Sequence, residues 1–174
     1  MGSVTIRPAE PDDAAGIARV CSEGWRDTYA DLYAPEQIES VISEYYAPER
    51  IAAEIAAPQG WHGWIVALDD EALVGAGGGG MIEPGVGEVF VLYLDPARRG
   101  EGIGTLLLEA ITEQQRADGA REQWVSVEPE NMKGLPFYEA RGFRLRGERP
   151  AWGSPPEEGR VSLRLRRRLS STGP

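Results

Sequence analysis

One cysteine and one histidine among 174 residues leave little material for disulfide or metal chemistry. A lone Cys21 excludes an intrachain disulfide. It falls on the apolar face of an expected helix, where it reads as a small core residue rather than a nucleophile, and a cytoplasmic setting fits. His62 has no partners at metal-ligand spacing, so no metal is expected. No stretch approaches the ~20 consecutive apolar residues that a membrane span needs. The opening "MGSVTIRPAEPDD" has no basic segment leading into an apolar core, so neither a secretory signal nor a membrane partner is expected. Positive charge is also scarce: 18 Lys and Arg, with Lys133 the sole lysine, face 28 Asp and Glu for a net charge of −10. That balance gives no footprint for nucleic acid. It would draw in small cations such as amines, and it would equally serve solubility alone.

What remains is an ordinary globular composition, 41% hydrophobic and 26% charged, in a length that suits one domain. "VTIRPAE" alternates as a short strand. Pro11 and Asp12 open a helix, with Asp12 or Asp13 as cap, whose apolar face carries Ile17, Val20, Cys21, Gly24 and Trp25 at helical spacing. A second helix after Ala34-Pro35 carries Ile38, Val41, Ile42 and Tyr45, and "APERIAAEIAAP" gives a third. The period then changes. "GWIVAL", "ALVGAGGGGMIE" and "GEVFVLYLDP" read as strands, separated by Asp69-Asp70 and Pro84-Gly85. "IGTLLLEAITEQQRADG" is a helix with Leu107, Ile111 and Gln114 on one face and Gly119 as its stop. The strand "EQWVSVE", the short helix "GLPFYEARG" and a closing hairpin, "FRLRGERPAW" with "GRVSLRLRRRL", follow. The alternation of "RLRRR" with Val161, Leu163 and Leu165 fits the solvated face of an edge strand. Grouped strands with helices between them argue for an α/β (α+β) chain with a mixed sheet rather than strict alternation. The domain is taken as residues 1–169 and a flexible tail as 170–174.

The stretch "DPARRGEGIGTLLLEAI" places Gly100, Gly102 and Gly104 within five positions, between a strand and a helix. Glycine is the costliest residue to order and weakens a helix interior by about 0.5–1 kcal/mol against alanine, so three so close together ask for a reason. A strand, a glycine-rich turn and a helix N-terminus together gather backbone N–H groups around an anion, typically a phosphate. Arg99 adds a charge suited to phosphate oxygens. The alternative is tight packing against the sheet. A Walker loop is excluded, because Thr105 follows with no Gly-Lys-Ser/Thr, and the G-x-G-x-G spacing fails the dinucleotide fingerprint.

Arg99-Gly100-Glu101-Gly102-Ile103-Gly104 resembles the R/Q-x-x-G-x-G/A motif of the GNAT superfamily of acyl-CoA-dependent N-acyltransferases. "VFVLYLDP" resembles that family's fourth strand, "NMKGLPFYEARGF" its later Asn–Tyr motif, and "IRPAEPDDAAGIARV" its usual opening. The resemblance runs from about residue 4 to 168. It implies a mixed, mostly antiparallel central sheet of about seven strands flanked by about four helices. It also implies acetyl-CoA as cosubstrate, its diphosphate on Arg99, Gly100, Gly102, Ile103, Gly104 and Thr105. The pantetheine arm would lie along Leu92, Tyr93 and Leu94, beside a bulge that splays the fourth strand from the fifth, with Asn131 and Tyr138 closing the cofactor site. The implied activity is direct transfer of an acetyl group to a primary amine in a ternary complex, a small-molecule amine being favoured. A non-catalytic acyl-CoA-binding or sensing domain, or an enzyme acting on protein N-termini or lysines, would carry the same motifs. A homodimer is left open.

Transfer to an amine poses three chemical demands: removal of a proton from the ammonium, stabilisation of the thioester oxygen, and protonation of the leaving thiolate. For the thiolate the resemblance offers Tyr138, seven residues after Asn131; a core tyrosine is the alternative. For the oxygen it offers the Leu92 N–H. For the base it offers Glu88, which at strand period shares a face with Phe90 and Leu92. A plain glutamate is a weak base for an amine, so burial or a water relay is required; a solvated strand end is the alternative. For the acceptor, Trp25 and Tyr29 lie one helical turn apart, with Asp27 and Asp31 on a different side. Tyr33, Tyr45, Tyr46, His62, Trp64 and Trp152 are the further aromatic candidates. Aromatic faces with a carboxylate suit an amine cation, and a plain aromatic core would look the same.

Overall fold

A computed structural model describes residues 3–131, 133–151 and 159–170. Trp152 and residues 171–174 of the expected tail lie outside the described residues. Seven strands form one sheet in the order β1-β2-β3-β4-β5-β7-β6. They are β1 (Val4–Pro8), β2 (Ile65–Asp69), β3 (Ala72–Glu83), β4 (Val86–Leu94), β5 (Glu122–Val127), β6 (Arg144–Pro150) and β7 (Val161–Arg168). Every pairing is antiparallel except β4 with β5. The α-helices are α1 (Ala14–Tyr29), α2 (Pro35–Tyr45), α3 (Pro48–Ala56), α4 (Ile103–Ala117) and α5 (Gly134–Ala140). No helix among the described residues is long and apolar enough to cross a membrane.

The sheet is covered on both faces, as a half-apolar sheet requires. On one face Ile17, Val20, Cys21 and Trp25 of α1 meet Ile38, Ile51, Trp64 and Val66. On the other, Ile103, Leu107 and Ile111 of α4 meet Val89, Val125, Val127 and Leu165. The α4 face holds one element that the helical spacing placed a residue away. Gln115 is fully buried, whereas Gln114 is only half-buried. The Gln115 amide donates to the Glu88 carbonyl (2.9 Å) and its oxygen accepts from Gln123 Nε2 (3.0 Å), while Arg167 Nε donates to Gln123 Oε1 (2.9 Å). A buried amide is tolerated because each end is satisfied. A Cβ on Gly87 would lie 2.1 Å from Gln115 Oε1, so that glycine leaves room for the amide. The network fastens α4 across β4, β5 and β7 next to the parallel pairing.

Two expectations change here. β7 is not an edge strand: it is paired on one side with β5 and on the other with β6, and β6 is the edge. Three of its four arginines are therefore bonded rather than merely solvated. Arg164 reaches Glu88, Arg166 reaches Glu122 (3.6 Å), and Arg167 enters the glutamine network. The second change is in β4. Gly78 pairs with Val91 but Gly79 pairs with Val89, so Phe90 is an extra residue, a bulge, left 46% exposed. A one-residue insertion reverses the alternation beyond it. Val89, Leu92 and Leu94 pack on the α4 face, and Val91 and Tyr93 on the α1 face. Glu88, next to Val89, thus faces away from Leu92, which corrects the shared face expected from strand period.

Candidate active site

The bulge has a structural consequence. β4 and β5 are paired only from Val86–Val89 against Glu122–Val125, and beyond that they part. The second halves of both strands border a cavity of about 770 Å³ that runs from the glycine turn to the aromatic residues of α1. The Asp95 N–H donates to the Val74 carbonyl on β3 (2.9 Å). Strand alternation then aims the Tyr93 N–H at β3 as well, and the Leu92 and Leu94 N–H groups into the opening. An unpaired strand edge of this kind accepts an extended ligand as an added strand.

At one end of the opening lies the glycine turn. Gly100 and Gly102 have φ of 81° and 84°, the left-handed region that a side chain disfavours, and Gly102 caps α4. A Cβ on either would meet nothing within 4 Å, so these positions face open space rather than protein. Gly104 differs: its Cβ would sit 3.1 Å from the Phe137 ring, so it serves packing between α4 and α5. The first turn of α4 leaves its N–H groups without intrahelical partners, and they face the same space. Ile103 is buried beneath the turn and Thr105 Oγ1 accepts from Arg141 Nε (3.0 Å). These features fit the diphosphate of an acyl-CoA: a concave run of amides, with room for the anion and cations close by.

Arg99 is held from α1. Asp27 bonds the Arg99 guanidinium and accepts from Lys133 Nζ (2.9 Å), so one carboxylate bridges α1, the glycine turn and the segment before α5. Asp27 is therefore engaged on the cofactor side, not with the acceptor aromatics, and Asp31 is exposed outside the cavity lining. The bonds from Arg99 and then Lys133 hold the Asp27 carboxyl below the usual carboxylate range. A depressed folded-state value contributes stability above the unfolded carboxylate pKa, lost as pH falls through the folded value. Because the group is partly exposed, the expected contribution is at most about 1 kcal/mol. Asp27→Asn should lower urea-denaturation stability by that order at pH 7 and by nothing measurable near pH 2. A gap that persists at acid pH would contradict the assignment.

At the middle of the cavity, Tyr138 of α5 is 8% exposed, its ring edge-on to Phe137 and Phe143 (5.0 and 5.3 Å). Burial raises its phenol above the ordinary range, so it is held protonated. Asn131 Oδ1 accepts from the Gly134 N–H (2.8 Å), capping the helix that carries Tyr138. Glu88 is 4% exposed, with Oε1 accepting from Arg164 (2.9 Å) and Oε2 from Arg149 (3.4 Å). No positional pattern could announce those partners, which lie 61 and 76 residues away along the chain.

The acceptor end is aromatic. The Trp25 and Tyr29 rings lie 4.2 Å apart, tilted by 43°, and Tyr33 follows at 5.6 Å from Tyr29. Tyr45, Tyr46 and Trp64 also border the cavity, as does Trp61, which the sequence reading did not include. His62 does not; its Nε2 bonds Asp118 (2.5 Å). Tyr93 packs its ring on Gly24 of α1 and edge-on to Tyr46 (6.2 Å), so only its backbone lies along the β4 opening. Glu128, Lys133, Arg141 and Arg149 were likewise not singled out from sequence, yet all border the cavity.

The model of the acetyltransferase (GNAT) family matches residues 23–143. The spermidine N(1)-acetyltransferase of Thermoplasma acidophilum is 33% identical over 150 residues, covering 82% of this chain and 89% of that protein. The mycothiol acetyltransferase of Gordonia bronchialis is 33% identical over 107 residues, 62% of this chain but only 35% of that protein. The crystal structure of PaiA N-acetyltransferase from Thermoplasma acidophilum, in complex with coenzyme A, superposes with a TM-score of 0.82 at 26% identity, covering 96% of this chain and 99% of that one. The chain belongs to the GNAT acetyltransferase family, and it is an N-acetyltransferase.

Proposed function

We propose that this enzyme moves an acetyl group from acetyl-CoA to a primary amine of a small molecule, by direct transfer within a ternary complex. The single observation that carries the reading is the continuity of one cavity. It joins a turn of open amides, an unpaired strand edge and an aromatic acceptor end. The diphosphate would rest on Gly100–Thr105 with Arg99 and Lys133 beside it, and the pantetheine arm along Leu92–Leu94. Asn131 would act through the helix it caps, which carries Tyr138.

Two groups are assigned to the thioester. The Leu92 N–H, aimed into the opening, would hold the developing oxyanion; fixed amides of this kind are worth roughly 10²–10³ in rate. Tyr138, kept protonated by burial, would give its proton to the departing thiolate. Direct transfer is supported by the place of the sole cysteine: Cys21 is fully buried in the α1 core, outside the cavity lining, and burial pushes its thiol up. A small-molecule acceptor is supported by the aromatic enclosure of Trp25, Tyr29 and their neighbours, and by the spermidine and mycothiol enzymes among the relatives. The buried lone thiol also suits a reducing, cytoplasmic setting.

The test is Tyr138→Phe, assayed by CoA release across spermidine, an aminoglycoside, alanine and a tripeptide. The expected result is a fall in kcat of about 10²-fold with the acetyl-CoA Kd unchanged. A native enzyme that binds acetyl-CoA yet acetylates none of these would contradict the enzymatic reading of the cavity. A strong preference for the tripeptide would overturn the small-molecule one.

A further inference from the structure

Among the described residues three carboxylates border the cavity, and they differ in what they are bonded to. Glu88 has a guanidinium on each oxygen. Glu54 accepts from Trp64 Nε1 (3.1 Å) and pairs with Arg50 (3.7 Å). Glu128 stands apart: among the described residues no basic side chain pairs with it, and its Oε2 accepts only from the Tyr33 hydroxyl (3.3 Å). It immediately follows β5, at the point where that strand has left β4, and its carbonyl accepts the Asn131 N–H (2.9 Å) to start the turn leading into α5. Glu128 and Tyr138 therefore project from one strand–turn–helix segment onto the same opening.

We infer that Glu128, rather than Glu88, receives the acceptor ammonium and takes its proton. This rests on the acetyltransferase reading of the cavity. An unpaired carboxylate beside the Trp25–Tyr29–Tyr33 aromatic cluster is a site for an alkylammonium, which is attracted both to the charge and to the ring faces. Glu88 has a guanidinium donating to each oxygen, so its charge is already met by two cations before an ammonium arrives. Its part is to position Arg149 and Arg164 at the sheet.

The ammonium R–NH3+ gives one proton to the Glu128 carboxylate and on to solvent. The freed lone pair forms the C–N bond to the thioester carbonyl, whose oxygen becomes an oxyanion at the Leu92 amide. The C–S bond breaks as the carbonyl reforms. Tyr138 protonates the thiolate and is restored by the second proton leaving nitrogen. The products are R–NH–acetyl, CoA thiol and one released proton.

The experiment compares native enzyme with Glu128→Gln, using the amine from the panel above that native enzyme acetylates fastest. The expected result is an unchanged acetyl-CoA Kd and a fall in kcat/KM of at least ~10²-fold at pH 7, shrinking below about tenfold near pH 10, where the free amine no longer needs a base. The groups around Glu128 are the Tyr33 hydroxyl bonded to it and Tyr29 of α1, which it influences electrostatically; Arg160 lies over the Tyr33 ring (4.1 Å), and Lys133, paired with Asp27, borders the same cavity. Burial holds Tyr29 up at about 12, so it stays neutral throughout that range. Tyr33→Phe, measured in parallel, removes only the hydroxyl. It should cost three- to tenfold and leave the shape of the pH profile intact, so it carries the test if Glu128→Gln does not fold. A Glu128→Gln enzyme within threefold of native activity, or one whose deficit is the same at pH 7 and 10, overturns the assignment to Glu128 while leaving the acetyltransferase reading standing. A native enzyme that acetylates no amine overturns both.

Discussion

Gly102→Val should weaken acetyl-CoA binding by at least ~100-fold, equivalent to about 2.7 kcal/mol, while the protein still folds. The asymmetry follows from what surrounds the residue. Chain neighbours aside, no atom of the described residues lies within 4 Å of the added Cβ, so the new side chain extends into the space over the turn rather than into the core. The fold bears a separate and smaller cost, since a φ of 84° is strained for any residue with a Cβ, by roughly 1–2 kcal/mol. For a chain of this length that corresponds to a Tm lower by about 2–8 °C. Calorimetric titration with acetyl-CoA and a thermal melt separate the two. Full loss of folding, or binding within a few-fold of native, would mean the turn serves packing alone. Gly104 provides the contrast: there an alanine presses on the Phe137 ring, and stability should be lost in larger proportion than binding.

The second large effect is on stability. Glu88→Ala removes the carboxylate shared by Arg164 and Arg149 and leaves the Arg164 guanidinium, whose side chain is 14% exposed, without its charge partner. Removing one member of a buried pair typically costs 3–5 kcal/mol, about 6–20 °C in Tm here. Arg164 keeps Ser126 Oγ (2.9 Å) and lies 5.0 Å from the centre of the Trp124 ring, which places the expected loss toward the lower end. Truncating Arg164 as well should restore part of the loss, because the orphaned charge goes with it. A single variant that loses less than about 1 kcal/mol in urea denaturation would show that the pair is not structural.

These two positions also mark where sequence was readable and where it was not. Gly100 and Gly102 were legible because a left-handed backbone next to open space admits little except glycine, so the geometry writes itself into the residue type. The strands and helices were legible for a similar reason, since burial on one face imposes a period. The bulge at Phe90 carries no such mark. It lies within an unbroken run of β-branched and aromatic residues, and its effect is to reverse which side Glu88 faces. Pairing across the sheet was equally hidden: β7 enters between β5 and β6, and only then do Arg164 and Arg149 reach Glu88. Glu128 was passed over because, along the chain, it is simply the residue after a strand. Its meaning lies in having no basic partner among the described residues, which only the three-dimensional arrangement reveals.

A crystal structure with acetyl-CoA bound tests the whole account most directly. The expected density has diphosphate oxygens within about 3 Å of the amides from Gly100 to Thr105, and the thioester between the parted ends of β4 and β5 near Tyr138. Density for the cosubstrate elsewhere, with that turn left open to solvent, would contradict it.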